Sequence, residues 1–321
     1  MSSPVLGIDI AKLKFDVALL VDGKYKHKVF ANNAAGFADL LLWLDGLCVS
    51  EVHACMEATG SYGEALAEFL FEHHILVSVV NPAQVKAFGG TQLQRNKTDK
   101  ADAKLIASFC FHLRPSGWQP LPPEIRSLQA MVKRLESLQE MRQQEANRLD
   151  TAATSVRNDI AEHLNYLDKT IAELKARIRK HIDQDPDLKD KAALLASIPG
   201  IGEATIAQVL AFIPLAERFT SARQLAAWVG LNPRLQQSGS SIQRRTVLAK
   251  TGNAGLRKAL YMPALVAMRY NAAMMAFAAR LKLAGKPGKS IVCAVMRKLV
   301  HIIYGVLKHR TPFNAELALA S

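Results

Sequence analysis

The chain has 321 residues, half of them hydrophobic and 21% charged; this excludes a mostly disordered chain and exceeds one average domain. Lys and Arg number 41 against 28 Asp and Glu, a formal net charge of +13. That surplus calls for a polyanionic partner, with nucleic acid ahead of an anionic membrane surface.

Residues 5–113 read as strands and helices of a mixed sheet. Val5–Asp9 and Phe15–Val21 are apolar, β-branched runs, and Lys24–Phe30 alternates after the turn Asp22-Gly23. Ala34–Leu47 has helical spacing, Glu51–Met56 is strand-like, Tyr62–His73 is helical, and Ile75–Val80 is an apolar strand stopped by Asn81-Pro82. Three successive strands followed by alternating strands and helices predict a sheet of the RNase H type, the α/β part of an α/β + α chain. The proline-dense segment 114–123, with Gly117 and Trp118, reads as a linker.

Two long helical tracts follow. In the first, about Glu124–Arg157, Ile125, Leu128, Val132 and Leu135 stand at heptad spacing. In the second, Ile160, Leu164, Leu167, Ile171, Leu174 and Ile178 repeat the pattern. A coiled coil or a long antiparallel hairpin follows from either, within one chain or between two. After Asp185-Pro186-Asp187 a third, mostly helical domain is expected, which sets the domains at 1–113, 114–187 and 188–321.

The third region holds the charge. From Arg218 to Ala315, 98 residues contain no Asp or Glu but 17 Lys and Arg. Cations without acidic neighbours suit phosphate contacts. The segment LLASIPGIGEATIAQVLAFI reads as a helix-hairpin-helix, whose Gly200 and Gly202 would free backbone amides for a phosphate. Downstream, LNPRLQQSGSSIQRR reads as a polar, serine-dense loop, and Gly252-Asn253 as a turn before a helix. Arg234, Arg244, Arg245, Lys250, Arg257 and Lys258 are the candidate nucleic-acid contacts around it. Ser238, Ser240 and Ser241 are turn residues, phosphate ligands or a nucleophile; no paired base is visible.

Four acids stand where chemistry is expected. Asp9 ends the first strand among apolar residues, and Glu57 stands in the same relation to a later strand. Asp99 and Asp102, three apart after Lys97-Thr98, share one face of a helix start. Together they form an all-oxygen donor set suited to Mg²⁺ or Mn²⁺ acting on a phosphodiester. The lead-in Gly-Ile-Asp also opens sugar-kinase-like folds, but no phosphate-binding glycine loop follows in residues 1–113.

The cysteines, Cys48, Cys55, Cys110 and Cys293, lie far apart without a C-x-x-C pair, so buried free thiols are expected rather than disulfides or zinc. MSSPVLGIDI has no signal-peptide layout, and no apolar run approaches the roughly 18 residues of a membrane span. A cytoplasmic protein without a membrane partner is expected.

The segments GIDIAKLKFDVAL, CMEATGSYG, NPAQVKAF and RNKTDKADAKLIA together resemble the N-terminal domain of the Asp-Glu-Asp-Asp insertion-sequence transposases, which include Piv-type DNA invertases. IPGIGEATIAQVLAFI, FTSARQLAAWVGLNPRLQQSGSS and KTGNAGLRKALYMPA are similar to that family's C-terminal domain, most of all in its bridge-RNA-guided branch. The resemblance implies a RuvC-like metal-dependent domain using Asp9, Glu57, Asp99 and Asp102, and a serine nucleophile, Ser238, that forms a covalent phosphoserine link to DNA. It also implies donor and target DNA, a noncoding bridge RNA that sets specificity, and a homo-oligomer up to a tetramer with composite active sites. Two rivals remain at this point: a junction nuclease without a covalent intermediate, and a non-enzymatic RNA-binding assembly protein.

Overall fold

A computed structural model describes residues 3–58, 60–91, 98–213, 216–238, 242–249 and 251–315. The chain forms two compact units, Met1–Leu121 and Pro122–Ser321.

The first unit is built on a five-stranded sheet. Strands β1 (Val5–Ile10), β2 (Lys14–Val21) and β3 (Lys24–Ala31) run antiparallel, whereas β4 (His53–Glu57) and β5 (Leu76–Val80) lie parallel to β1, in the order β3-β2-β1-β4-β5. This is the mixed sheet that three adjacent strands followed by helix-separated strands predict. The odd positions of β2, Phe15, Val17 and Leu19, face a core completed by α1 (Ala34–Asp45) and α2 (Glu64–Glu72). The opposite face is covered by α3 (Pro82–Thr91) and α4 (Asp99–Leu113), with Val5, Cys55, Val80, Val85, Ile106 and Phe109 between them.

Asn81-Pro82 stops β5, as read from the sequence, but also opens α3, because proline's fixed φ and missing N–H suit the first helical position. The proline-dense segment 114–121 lies against the first unit. The Trp118 amide donates to Val77 O (2.6 Å), and the Ser78 hydroxyl donates to the carbonyls of Pro115 and Ser116 (3.0 and 2.9 Å). Its prolines end helix formation, while the Trp118 amide bonds to the edge strand β5.

In the second unit, α5 (Pro123–Thr151) and α6 (Arg157–Gln184) run antiparallel. Arg142 on α5 pairs with Asp168 on α6, and His181 near the end of α6 meets Glu124 O at the start of α5 (2.8 Å). Leu167, Ile171, Leu174 and Ile178 of the heptad stripe are buried, while Ile160 and Leu164 nearer the start of α6 are half-buried. Helices α7 (Pro186–Ala196), α8 (Glu203–Phe212), α9 (Ala222–Val229), α10 (Ala254–Ala259), α11 (Tyr261–Tyr270), α12 (Ala272–Leu283) and α13 (Gly288–His309) complete the unit. The 22-residue α13 is long and apolar enough to cross a membrane, contrary to the sequence reading, yet 61% of its apolar window is buried by neighbouring helices. Arg297 and Lys298 interrupt its apolar residues, so the sequence shows no continuous apolar run there.

The segment read as a serine-dense loop is instead an antiparallel ribbon, β6 (Pro233–Ser238) and β7 (Ile242–Leu248). All four cysteines are free; Cys55 and Cys110 are buried as expected, but Cys48 is exposed and Cys293 half-buried.

Candidate active site

The acids of the first unit are brought together by small residues. Asp9 stands near the end of β1 and Glu57 ends β4; these strands are parallel with Ile8 paired to Met56, so both acids lie at the carboxyl ends of neighbouring strands. Helix α4 lies close on the sheet face at β1 because that strand has no side chain at Gly7. A Cβ there would lie 2.2 Å from Ala103 O and 2.3 Å from Ala107 N. Ala18 on β2 and the fully buried Ala103 and Ala107 continue the seam. Thr98 caps α4, its hydroxyl accepting from the Ala101 amide (3.2 Å), which fixes Asp99 and Asp102 in the first turn, where the helix dipole favours anions.

The consequence is electrostatic. Asp9 is half-buried, and burial, reinforced by the neighbouring charges of Asp102, Asp99 and Asp16, pushes its carboxyl pKa up to about 6. A carboxylate held against its own ionisation by burial and three other acids marks a site short of positive charge. Hard oxygen donors of this kind fit a divalent cation such as Mg²⁺ or Mn²⁺. Among the described residues no three His, Cys, Asp or Glu side chains already converge on one point, so a metal would have to draw them in.

Four residues of this neighbourhood are not marked by the sequence pattern. Asp16 is the antiparallel partner of Asp9 across β1 and β2 and is 5% exposed. His27 Nε2 lies 3.0 Å from Asp16 Oδ1. Lys14 Nζ donates to Asp16 Oδ2 (3.2 Å) and to Asp99 Oδ2 (2.8 Å), which holds the Asp99 carboxyl below the usual range. Asn32 adds a clamp, its side-chain amide donating to Ala11 O and Tyr62 O (3.0 and 3.1 Å) and so tying together the loops that follow β1 and β4. The available signal for Asp16 was an acid flanked by Phe15 and Val17 in an otherwise apolar strand.

In the second unit, Ser238 ends β6 opposite Ile242, at the tip of the ribbon. Ser240, Ser241 and Lys250 lie outside the described residues. Arg244 and Arg245 stand on β7, and Arg234 on β6 is exposed. Arg257 is half-buried and directed inward: its guanidinium donates to Val229 O (2.8 Å) at the end of α9. Lys258 is exposed and pairs with Glu140 of α5 (3.2 Å). A stretch without acids in sequence is thus not without acids in space. Gly200, with φ +100°, packs on α11, where a Cβ would come within 3.1–3.2 Å of Ala267 and Pro263 O; Gly202 opens α8 with free space around its Cα.

Residues 6–157 match the DEDD transposase family of IS110, and residues 192–279 match the transposase IS116/IS110/IS902 family. The chain is 36% identical over 321 residues to the pilin gene-inverting proteins of Moraxella bovis and Moraxella lacunata, covering 99% of each chain. A solved structure of Thermus thermophilus RuvC with a Holliday junction substrate (18% identity, 35% of this chain and 94% of that one) overlays at a TM-score of only 0.27 and carries no weight here. The full-length match and both family matches, in the same order along the chain, establish that it belongs to the IS110 family of transposases, enzymes that cut and rejoin DNA.

Proposed function

We propose that this transposase is a site-specific recombinase that works through a RuvC-like acid site and a covalent phosphoserine intermediate. Asp9, Glu57, Asp99 and Asp102 would hold Mg²⁺ or Mn²⁺. The observation that carries this reading is the Asp9 carboxyl, raised to about 6 by burial and by three acids gathered around it. A bound divalent ion supplies charge stabilisation at phosphorus and favours the alkoxide of a nucleophile.

Ser238 is the proposed nucleophile. Its hydroxyl attacks a DNA phosphodiester, forming an Oγ–P bond as the leaving strand oxygen departs with a proton. The reverse attack by a new strand end restores the serine, so the bond energy is conserved for rejoining. In support, Ser238 ends β6 at the last pair of the ribbon, opposite Ile242. The cationic segment from Arg218 to Ala315 supports binding of donor and target DNA and of a noncoding bridge RNA. The α7–α8 corner is proposed to act as a helix-hairpin-helix through the Gly202 side, since Gly200 is committed to packing. A cytoplasmic homo-oligomer, up to a tetramer with α5 and α6 as a coiled-coil element, completes the reading.

The test is a denaturing gel of the Mg²⁺ reaction on element-end DNA, with the protein expressed beside its native flanking DNA. A covalent protein–DNA band is expected from the parent and none from Ser238→Ala, which should still bind DNA. Cleaved ends without any band would mean a hydrolytic nuclease and overturn the serine role.

A further inference from the structure

Lys14 bridges a fixed acid and a free-standing one. On one side is Asp16, 5% exposed, opposite Asp9 in the β1–β2 ladder and held by His27 (3.0 Å). On the other is Asp99, in the first turn of α4 with a side chain 57% exposed, 2.8 Å from the Lys14 ammonium. Lys14 itself is placed by the strand: it opens β2, and its carbonyl accepts from the Ala11 amide (2.9 Å). Because Asp16 stays bonded to both His27 and Lys14, the ammonium keeps a partner if Asp99 leaves.

We propose that Lys14 is a built-in counter-cation of the acid site, a positioning residue that holds Asp99 against β2 when no metal is bound and yields it when a divalent ion enters. This rests on the reading of Asp99 as a metal ligand. Three carboxylates bear on Asp9, and Lys14 is the cation that offsets them. A divalent ion and this ammonium therefore compete for the same oxygen, and the lysine sets how much metal is needed to assemble the site. The pair is solvent-exposed, which keeps the competition modest and the exchange easy.

The experiment is a Mn²⁺ titration of the full-length protein, read by electron paramagnetic resonance of the free ion, without DNA. Lys14→Met is expected to tighten Mn²⁺ binding roughly threefold, the scale of an exposed ion pair, whereas Lys14→Arg leaves it near the parent value. A disturbed fold would weaken binding, so the direction separates the proposed role from damage. Asp16→Asn, which leaves Lys14 to Asp99 alone, is expected to weaken binding. The tightening must vanish when Lys14→Met is made in an Asp99→Asn background. If it persists there, Lys14 acts only as bulk charge and the inference fails. If Asp99→Asn weakens Mn²⁺ binding but Lys14→Met does not tighten it, the inference fails and the acid site stands. If Asp99→Asn leaves the affinity unchanged, the reading of Asp99 as a ligand fails, and the inference with it.

Discussion

The two units treat charge in opposite ways. In the first, carboxylates are pressed together by backbone packing: Gly7, Ala18, Ala103 and Ala107 let α4 lie on β1 and β2 until Asp9 is raised to about 6. In the second, cations abound, yet the half-buried Arg257 serves as a C-cap for α9 and Lys258 answers an acid from α5. Like charge concentrated beyond what Lys14 offsets marks a ligand site, whereas abundant charge with internal partners is partly structural. The comparison therefore separates residues that await a ligand from residues already spent on the fold.

The largest break in this comparison is at Gly7. Gly7→Val would drive a side chain into the α4 backbone and cost upwards of about 3 kcal/mol, with α4 displaced from β1. Strand cleavage should be lost even though no acid is altered, and the melting temperature should fall by several degrees, read by calorimetry. A variant that cleaves normally would show that the acids do not depend on this seam.

Next in size is the response to pH. The folded-state pKa of Asp9 lies above its ordinary value, so the folded chain binds this proton more tightly than the unfolded chain does. This group's effect on metal-free stability is therefore a loss as pH rises from about 4 to 6, and Asp9→Asn should flatten that loss. Metal must displace the same proton, so apparent Mn²⁺ affinity should fall about tenfold per pH unit below about 6. Affinity that stays constant from pH 7 to 5 would separate Asp9 from the metal.

Much of the first unit was legible in the sequence because its inner strands are short apolar runs bounded by turn residues and its acids stand at their ends. Asp9 and Glu57 follow from that pattern alone. Asp16 did not, because recognising it needs the register of the β1–β2 hairpin, which puts residues seven apart in sequence directly opposite each other. Strand register is likewise needed to place Lys14 and His27 beside it. In the second unit the β6–β7 ribbon was not legible, since Gln, Ser and Arg have little strand preference, and neither was the packing of Gly200, at positive φ, on α11. Local pattern carries element type; packing between distant segments carries the site.

The smallest effect sharpens the comparison inside the cationic region itself. Arg234, exposed on β6, and Arg257, bonded to Val229 O, are equal in formal charge and opposite in use. Arg257→Met should destabilise the protein by about 1–2 kcal/mol, since it strips a partner from a helix-end carbonyl. Its salt dependence of DNA binding should change little. Arg234→Ala should leave the melting temperature unmoved and reduce the slope of log binding constant against log salt by about one, as expected when a single phosphate is no longer neutralised. Were the two variants to shift the salt slope equally, the guanidinium of Arg257 would have to leave α9 in the complex, and its place in the free chain would be a resting position rather than a cap.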